Sequence, residues 1–212
     1  MAEMLDVFDE AMQPLGVRSR EDVHKLGLWH QTFQCWFVRR IDGVDTIYFQ
    51  ERHESKADFP GLLDITAAGH LSAGETLEDG AREIEEELGV AVPREALSYA
   101  GCKPYKYRKD GFIDREFCHV HYYVCELPLE AFRFRDGEVS AIVLMTLADA
   151  RRIVRDAEAT APAVRAVPER GERRDIVVRW ADLVPHEKRY YEAAFDEAER
   201  LLARGRADFS AT

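Results

Sequence analysis

No two cysteines in this chain stand at CxxC spacing; Cys35, Cys102, Cys118 and Cys125 are scattered. That argues against a zinc knuckle. A chain of 212 residues has room for a real core, so a disulfide framework is not needed either, and buried free thiols are the expectation. Apolar runs of membrane-spanning length are also lacking. The opening MAEMLDVFDEAMQ carries acidic residues and no long apolar stretch, unlike a signal peptide, so a cytoplasmic location is expected. Positive charge is short as well: 29 Lys and Arg face 40 Asp and Glu, a net charge of -11. This excludes a broad basic surface for a nucleic acid polymer. A small phosphorylated molecule remains open, because it needs only a few local cations and a metal ion. What is present is ordinary for a globular protein, with 46% hydrophobic and 33% charged residues.

Alternating apolar and polar residues predict a strand over LDVFDE, with MQPLG as a turn and Ser19 to Lys25 as a short helix capped by Ser19. HQTFQCWFVRR and TIYFQER, joined by IDGVD, read as a hairpin. FPGLLDITAAGHLSAGET is loop or short strand. Glu78 to Leu88 is the clearest helix, with Thr76 and Asp79 placed as a capping box, Gly89 as its stop, and Ala81, Ile84 and Leu88 on one side. LSYAGCKPYKYR, FIDREFCHVHYYVCEL and EVSAIVLMT are further strands. From Leu147 onward helices are expected to dominate, LADARRIVRDAEA first and HEKRYYEAAFDEAERLLARG last, with Thr160 to Asp175 an irregular connection between them. Residues 1–158 are read as one domain and 159–212 as a connection and helix packed on it.

The predicted helix carries an oddity. Glu83, Glu86 and Glu87 are related by steps of three and four, and so project from one face, where like charges weaken a helix. A solvated acidic face is the plain explanation. A divalent cation is the other, since hard oxygen ligands would turn the repulsion into attraction.

The residues around the row favour the cation. Gly69, five residues, Glu75, then Arg82-Glu83-Ile84-Glu85-Glu86-Glu87-Leu88-Gly89-Val90 closely resembles the Nudix box, G-x5-E-x7-R-E-U-x-E-E-x-G-U with U aliphatic. The one departure is a residue fewer between Glu75 and Arg82. The resemblance implies a Nudix-type α/β/α sandwich with a mixed β-sheet, here extended by C-terminal helices. It implies that Glu83, Glu86 and Glu87 bind Mg²⁺ or Mn²⁺, joined by Glu116 from a later strand. It gives Gly69, Glu75, Arg82 and Gly89 structural roles, Arg82 pairing with Glu75 to brace the loop. The expected chemistry is metal-assisted attack of water on a diphosphate.

A second resemblance spans most of residues 5 to 145. LDVFDE, DVHKLGLWHQTF and ERHESKADFPGLLDITAAGH look like the branch that contains isopentenyl-diphosphate isomerase. That likeness implies a second metal site at His24, His30, His70, Asp114 and Glu116, and diphosphate handles at Arg52 and Lys56. Ala68 stands where the isomerase has its essential cysteine, and an alanine cannot exchange protons with an alkene. The three hydrolytic glutamates point the same way, toward hydrolysis of a nucleoside diphosphate linked to another moiety, or of a related organic diphosphate. An isomerase-like enzyme and a non-catalytic nucleotide sensor are the alternatives. Lys103, Lys106, Arg108 and Lys109 form a further cationic cluster in which Tyr105 and Tyr107 are interleaved; Tyr107 is a candidate to meet the substrate. His119 and His121 share a strand face and either line the pocket or pack. The expected partner is a small-molecule diphosphate, with no nucleic acid polymer and no membrane, and relatives of this kind are often homodimers.

Overall fold

The computed structural model describes residues 2–134 and 137–209, with side chains to residue 204. Its strands are β1 (Met4–Phe8), β2 (Pro14–Ser19), β3 (Trp29–Ile41), β4 (Val44–Arg52), β5 (Leu63–Ile65), β6 (Ala67–His70), β7 (Leu97–Lys109), β8 (Phe112–Val124), β9 (Val139–Thr146), β10 (Thr160–Val167) and β11 (Glu172–Arg179). The helices are α1 (Arg20–Leu26), α2 (Arg82–Leu88), α3 (Leu147–Arg155) and α4 (Lys188–Phe209). All the strands join one sheet, along the path β11-β10-β9-β4-β3-β1-β2, with β6 and β8 also on β3, β5 on β4 and β7 on β8. The sheet is mixed, because β3 and β8 run parallel while the other pairings are antiparallel. The architecture is the expected α/β one. Among the described residues, no helix is long and apolar enough to cross a membrane.

The long central strand explains the layering. Phe33, Cys35 and Phe37 of β3 belong to one buried cluster with Ile84 and Leu88 of α2. Trp36 and Val38 belong to another, with residues of α3 and α4. A strand that is apolar on both faces is what a sheet covered on both sides requires. α2 is only seven residues long, too short to persist alone, so burial of Ile84 and Leu88 must hold it; cutting either back to alanine costs about 2–5 kcal/mol.

Local signals behave as their chemistry demands. The Ser19 hydroxyl caps α1 by accepting from the Asp22 N–H at 3.2 Å. The Thr76 N–H donates to Asp79 Oδ2 at 2.9 Å, which closes the box ahead of α2. The expected helix over Glu78 to Leu88 begins as a 3₁₀ turn, Asp79–Ala81, and becomes α-helical at Arg82. It ends at Gly89, whose φ of 66° suits glycine.

Two expectations need correction. The stretch read as a turn at MQPLG opens β2, which pairs with β1. The stretch Thr160 to Asp175, read as an irregular connection, is β10, a 3₁₀ turn and the start of β11. The two strands pair residue by residue from Thr160↔Arg179 to Val167↔Glu172, so strands as well as helices follow Leu147. Prolines and arginines hid them. Arg165 spends its charge on Glu51 of β4, with both contacts at 2.6 Å.

Candidate functional site

β6 is four residues long and ties two groups of polar side chains together. The Ala68 N–H donates to Glu87 Oε2 at 3.0 Å. Gly69 lies against the Glu83 carboxyl so closely that a Cβ there would collide with it. The His70 ring meets those of His24 and His30, with centroids 5.4 Å and 5.1 Å away.

On the α2 side, Arg82 is the organiser. Its Nε donates to Glu75 Oε1 at 2.7 Å and its Nη2 to Glu75 Oε2 at 3.0 Å, a bidentate pair. Nη2 also reaches the His70 carbonyl at 3.2 Å. Nη1 lies 2.8 Å from Glu83 and 2.7 Å from Glu86. Glu75 in turn accepts the Ser72 N–H at 2.7 Å, so the loop before α2 is braced despite being one residue short of the box pattern. The Arg82 guanidinium holds the Glu75 carboxyl below the usual range.

The three helix glutamates stand at different depths. Glu86 is exposed, whereas Glu87 is buried against the sheet. Glu87 Oε2 also accepts from Gln50 Nε2 at 3.3 Å, a partner that a lone glutamine in an apolar strand gave no reason to suspect. Burial pushes the Glu83 carboxyl up to about 7 and the Glu87 carboxyl well above its usual value. Arg82 already offsets part of the Glu83 charge, and a divalent cation would supply the further positive charge that lets the buried Glu87 ionise.

The second group spans β3, β6, β8 and α1. Among the described residues, two sets offer ligand atoms within 4.8 Å of one another: His24, His30 and His70, and His30, Asp114 and Glu116. Glu83, Glu86 and Glu87 are not gathered so tightly. The ring orientations test whether a cation fits the second group. His24 Nδ1 lies 2.8 Å from the Arg20 carbonyl and His30 Nδ1 lies 3.1 Å from the Leu28 carbonyl. A carbonyl only accepts, so each Nδ1 carries the hydrogen and each Nε2 presents a lone pair. Those lone pairs face Asp114 Oδ1 at 3.6 Å and 3.7 Å. His30 Nε2 and Asp114 Oδ1 are buried with no hydrogen-bond partner. Lone pairs of neutral imidazoles aimed at a carboxylate are mutually repulsive unless a metal ion or a proton lies among them. Burial favours the neutral form of the imidazoles, holding His30 down to about 4 and lowering His24 and His70 as well. Burial also raises Asp114 and Glu116. The donor set fits a divalent metal ion.

Other candidates are placed differently. Arg52 Nη1 pairs with Asp64 at 2.9 Å, and Lys56 with Glu138 at 2.5 Å. The Tyr107 ring packs edge-on to Phe59 at 5.2 Å. His119 and His121 are buried, His121 stacked on Phe33 and His119 bonded to the Tyr99 hydroxyl at 3.1 Å. The four cysteines are free, three of them buried.

The NUDIX domain family model matches residues 28–167. An uncharacterized Nudix hydrolase of Clostridium acetobutylicum is 34% identical over 192 residues, covering 89% of this chain and 93% of that protein. Nudix hydrolase 3 of Arabidopsis thaliana is 34% identical over 146 residues, 66% of this chain but 19% of the plant protein's length. Among solved structures, DR0079 from Deinococcus radiodurans superposes with a TM-score of 0.54 at 22% identity, covering 74% of this chain and 91% of its own. At that identity the likeness is one of fold.

Proposed function

Because the chain belongs to the Nudix hydrolase family, we propose that it cleaves the diphosphate bond of a nucleoside diphosphate linked to another moiety, or of a related organic diphosphate. The observation that carries this reading is β6, where Ala68, Gly69 and His70 join the α2 carboxylates to the acid–histidine cluster. Glu83, Glu86 and Glu87 would hold one divalent ion, Mg²⁺ or Mn²⁺. His24, His30, His70, Asp114 and Glu116 would hold another, the imidazoles favouring a first-row ion such as Mn²⁺. When bound, such ions supply positive charge to the phosphoryl oxygens and lower the pKa of water.

The rest is the work of the chain's own groups. Arg82 and Glu75 fix the loop that leads into α2. The Ala68 N–H and the Gln50 amide hold the Glu87 carboxyl in place. Gly69 lets the Glu83 carboxyl lie against the strand. One of these carboxylates accepts the proton of the attacking water. Lys56 and Arg52 are the cations proposed to meet the diphosphate, released from Glu138 and Asp64 as it binds.

We place the chain beside the isopentenyl-diphosphate isomerase branch but not among its isomerases. A methyl group stands at Ala68, where that chemistry needs a thiol, and the adjoining N–H is given to a hydrolytic glutamate. The test is a panel of nucleoside and prenyl diphosphates incubated with Mg²⁺, beside a Glu86→Gln variant. Two phosphorylated products and a loss of rate in the variant are expected. Undiminished hydrolysis by Glu86→Gln would sink the mechanism, and proton exchange into isopentenyl diphosphate would move the chain to the isomerases.

A further inference from the structure

We infer that a cavity of about 760 Å³ between β7, β8 and α4 seats a flat heterocyclic base attached to the diphosphate. The inference rests on the hydrolytic reading above and names the substrate class for it. The size is within the ordinary range for small-molecule sites.

Position is the first argument. Cys118 lines the cavity, and its Sγ donates to Glu116 Oε2 at 3.2 Å. Tyr105 and Tyr107, also in the wall, stand opposite Glu116 and Asp114 in the β7–β8 ladder. The cavity therefore abuts the acid–histidine cluster, and a molecule with its phosphates there would extend its organic part inward.

The walls then select what that part is. Tyr105 packs edge-on to His186 at 5.2 Å, and His186 lies 5.0 Å from Tyr190. Such aromatic surfaces accept a stacked base of any sequence. An apolar chain could also lie on them, but the floor argues against it. Gln34 lines the cavity while almost fully buried. Its carbonyl is taken by the Tyr190 hydroxyl at 2.8 Å, so the amide hydrogens are what it can offer a ligand. A prenyl chain would strand those donors; the edge of a base accepts them.

Lys103, Lys106, Arg189 and Arg200 line the cavity with Glu187 and Glu197. Arg189 pairs with Glu187, Arg200 with Glu197 and Lys106 with Glu10, which leaves Lys103 as the lining cation with no ion pair among the described residues, placed to meet an anionic group of the ligand.

Ala193 of α4 lines the cavity and is exposed, so Ala193→Trp fills the space without entering the core. Kinetics with ADP and with methyl diphosphate, which lacks base and sugar, give the readout. In Ala193→Trp the ratio of kcat/KM for ADP to that for methyl diphosphate should fall at least ~10-fold, the scale of one stacked base. Ala193→Ser should keep the wild-type ratio. An unchanged ratio in Ala193→Trp overturns the inference. So does a wild-type preference for isopentenyl diphosphate over ADP that Gln34→Leu strengthens. Fluorescence anisotropy of etheno-ADP on the Glu86→Gln protein reads the cavity without turnover, and Ala193→Trp should weaken that binding. If the wild type cleaves no diphosphate, the hydrolytic reading falls while the anisotropy still decides the cavity.

Discussion

Replacing Gly69 by alanine separates folding from chemistry at this site. The Gly69 backbone lies outside the positive-φ region, so alanine is conformationally acceptable there. Its Cβ, however, would meet all three atoms of the Glu83 carboxyl, Oε1 at 2.5 Å. Ordinary van der Waals contact begins near 3.4 Å, so the carboxyl must retreat by about 1 Å. It is the far end of a flexible side chain and can do so cheaply. Removing a glycine also restricts the unfolded chain, worth about 0.4–1 kcal/mol, and net stability should shift by no more than ~1 kcal/mol. Catalysis has no such latitude, because a misplacement of about 1 Å costs on the order of 10²-fold in rate. Gly69→Ala is therefore expected to melt near the wild-type temperature and to lose about two decades of kcat. The assay is thermal unfolding beside steady-state hydrolysis, run for Gly69→Ala, Glu83→Ala and the double variant. Because the glycine acts through Glu83, the substitution should cost little once the carboxylate is gone. An equal loss in the presence and absence of Glu83, or wild-type turnover in Gly69→Ala, would refute the reasoning.

Gln50→Leu removes a donor to Glu87 (3.3 Å) and should weaken divalent-ion affinity about 10-fold or more by isothermal titration, with Gln50→Asn recovering part of it. Mn²⁺ should raise the melting temperature of the wild type and EDTA reverse the rise; His30→Ala, which takes the central imidazole out of the acid–histidine cluster, should cut the number of ions bound by one. Burial holds His119 down to about 4, below its unfolded value of about 6.5, so the unfolded chain takes up the proton first as pH falls. Stability contributed by this residue is thus complete above about pH 6.5 and is lost between there and pH 4, by up to ~3 kcal/mol. Urea midpoints of His119→Phe should be flatter over that window than those of the wild type, and parallel curves would count against it.

Much of the chemistry was legible in order alone. Spacing put Glu83, Glu86 and Glu87 on one helix with Arg82 and Gly89 around them, and the aromatic and β-branched residues of HQTFQCWFVRR announced a strand. Ser19 announced the helix that follows it, and its hydroxyl accepts the N–H three residues on. These signals are local, because each depends on atoms a few residues apart. β10 and β11 were hidden for the opposite reason. What makes Thr160–Val167 a strand is its pairing with β9 and β11, and its Arg165 is tolerated because Glu51, far off in the chain, waits for it.

The same divide runs through the site. The sequence by itself determined which acids and histidines are available and the helical spacing of three of them. Only the tertiary structure decided that Glu87 is buried on Gln50 while Glu86 faces outward, that Gly69 lies against the Glu83 carboxyl, and that α4 roofs a cavity beside Glu116. Depth, close approach and enclosure arise when distant segments meet. They are set by packing rather than by any residue's own preference, and so leave no periodic mark on the chain.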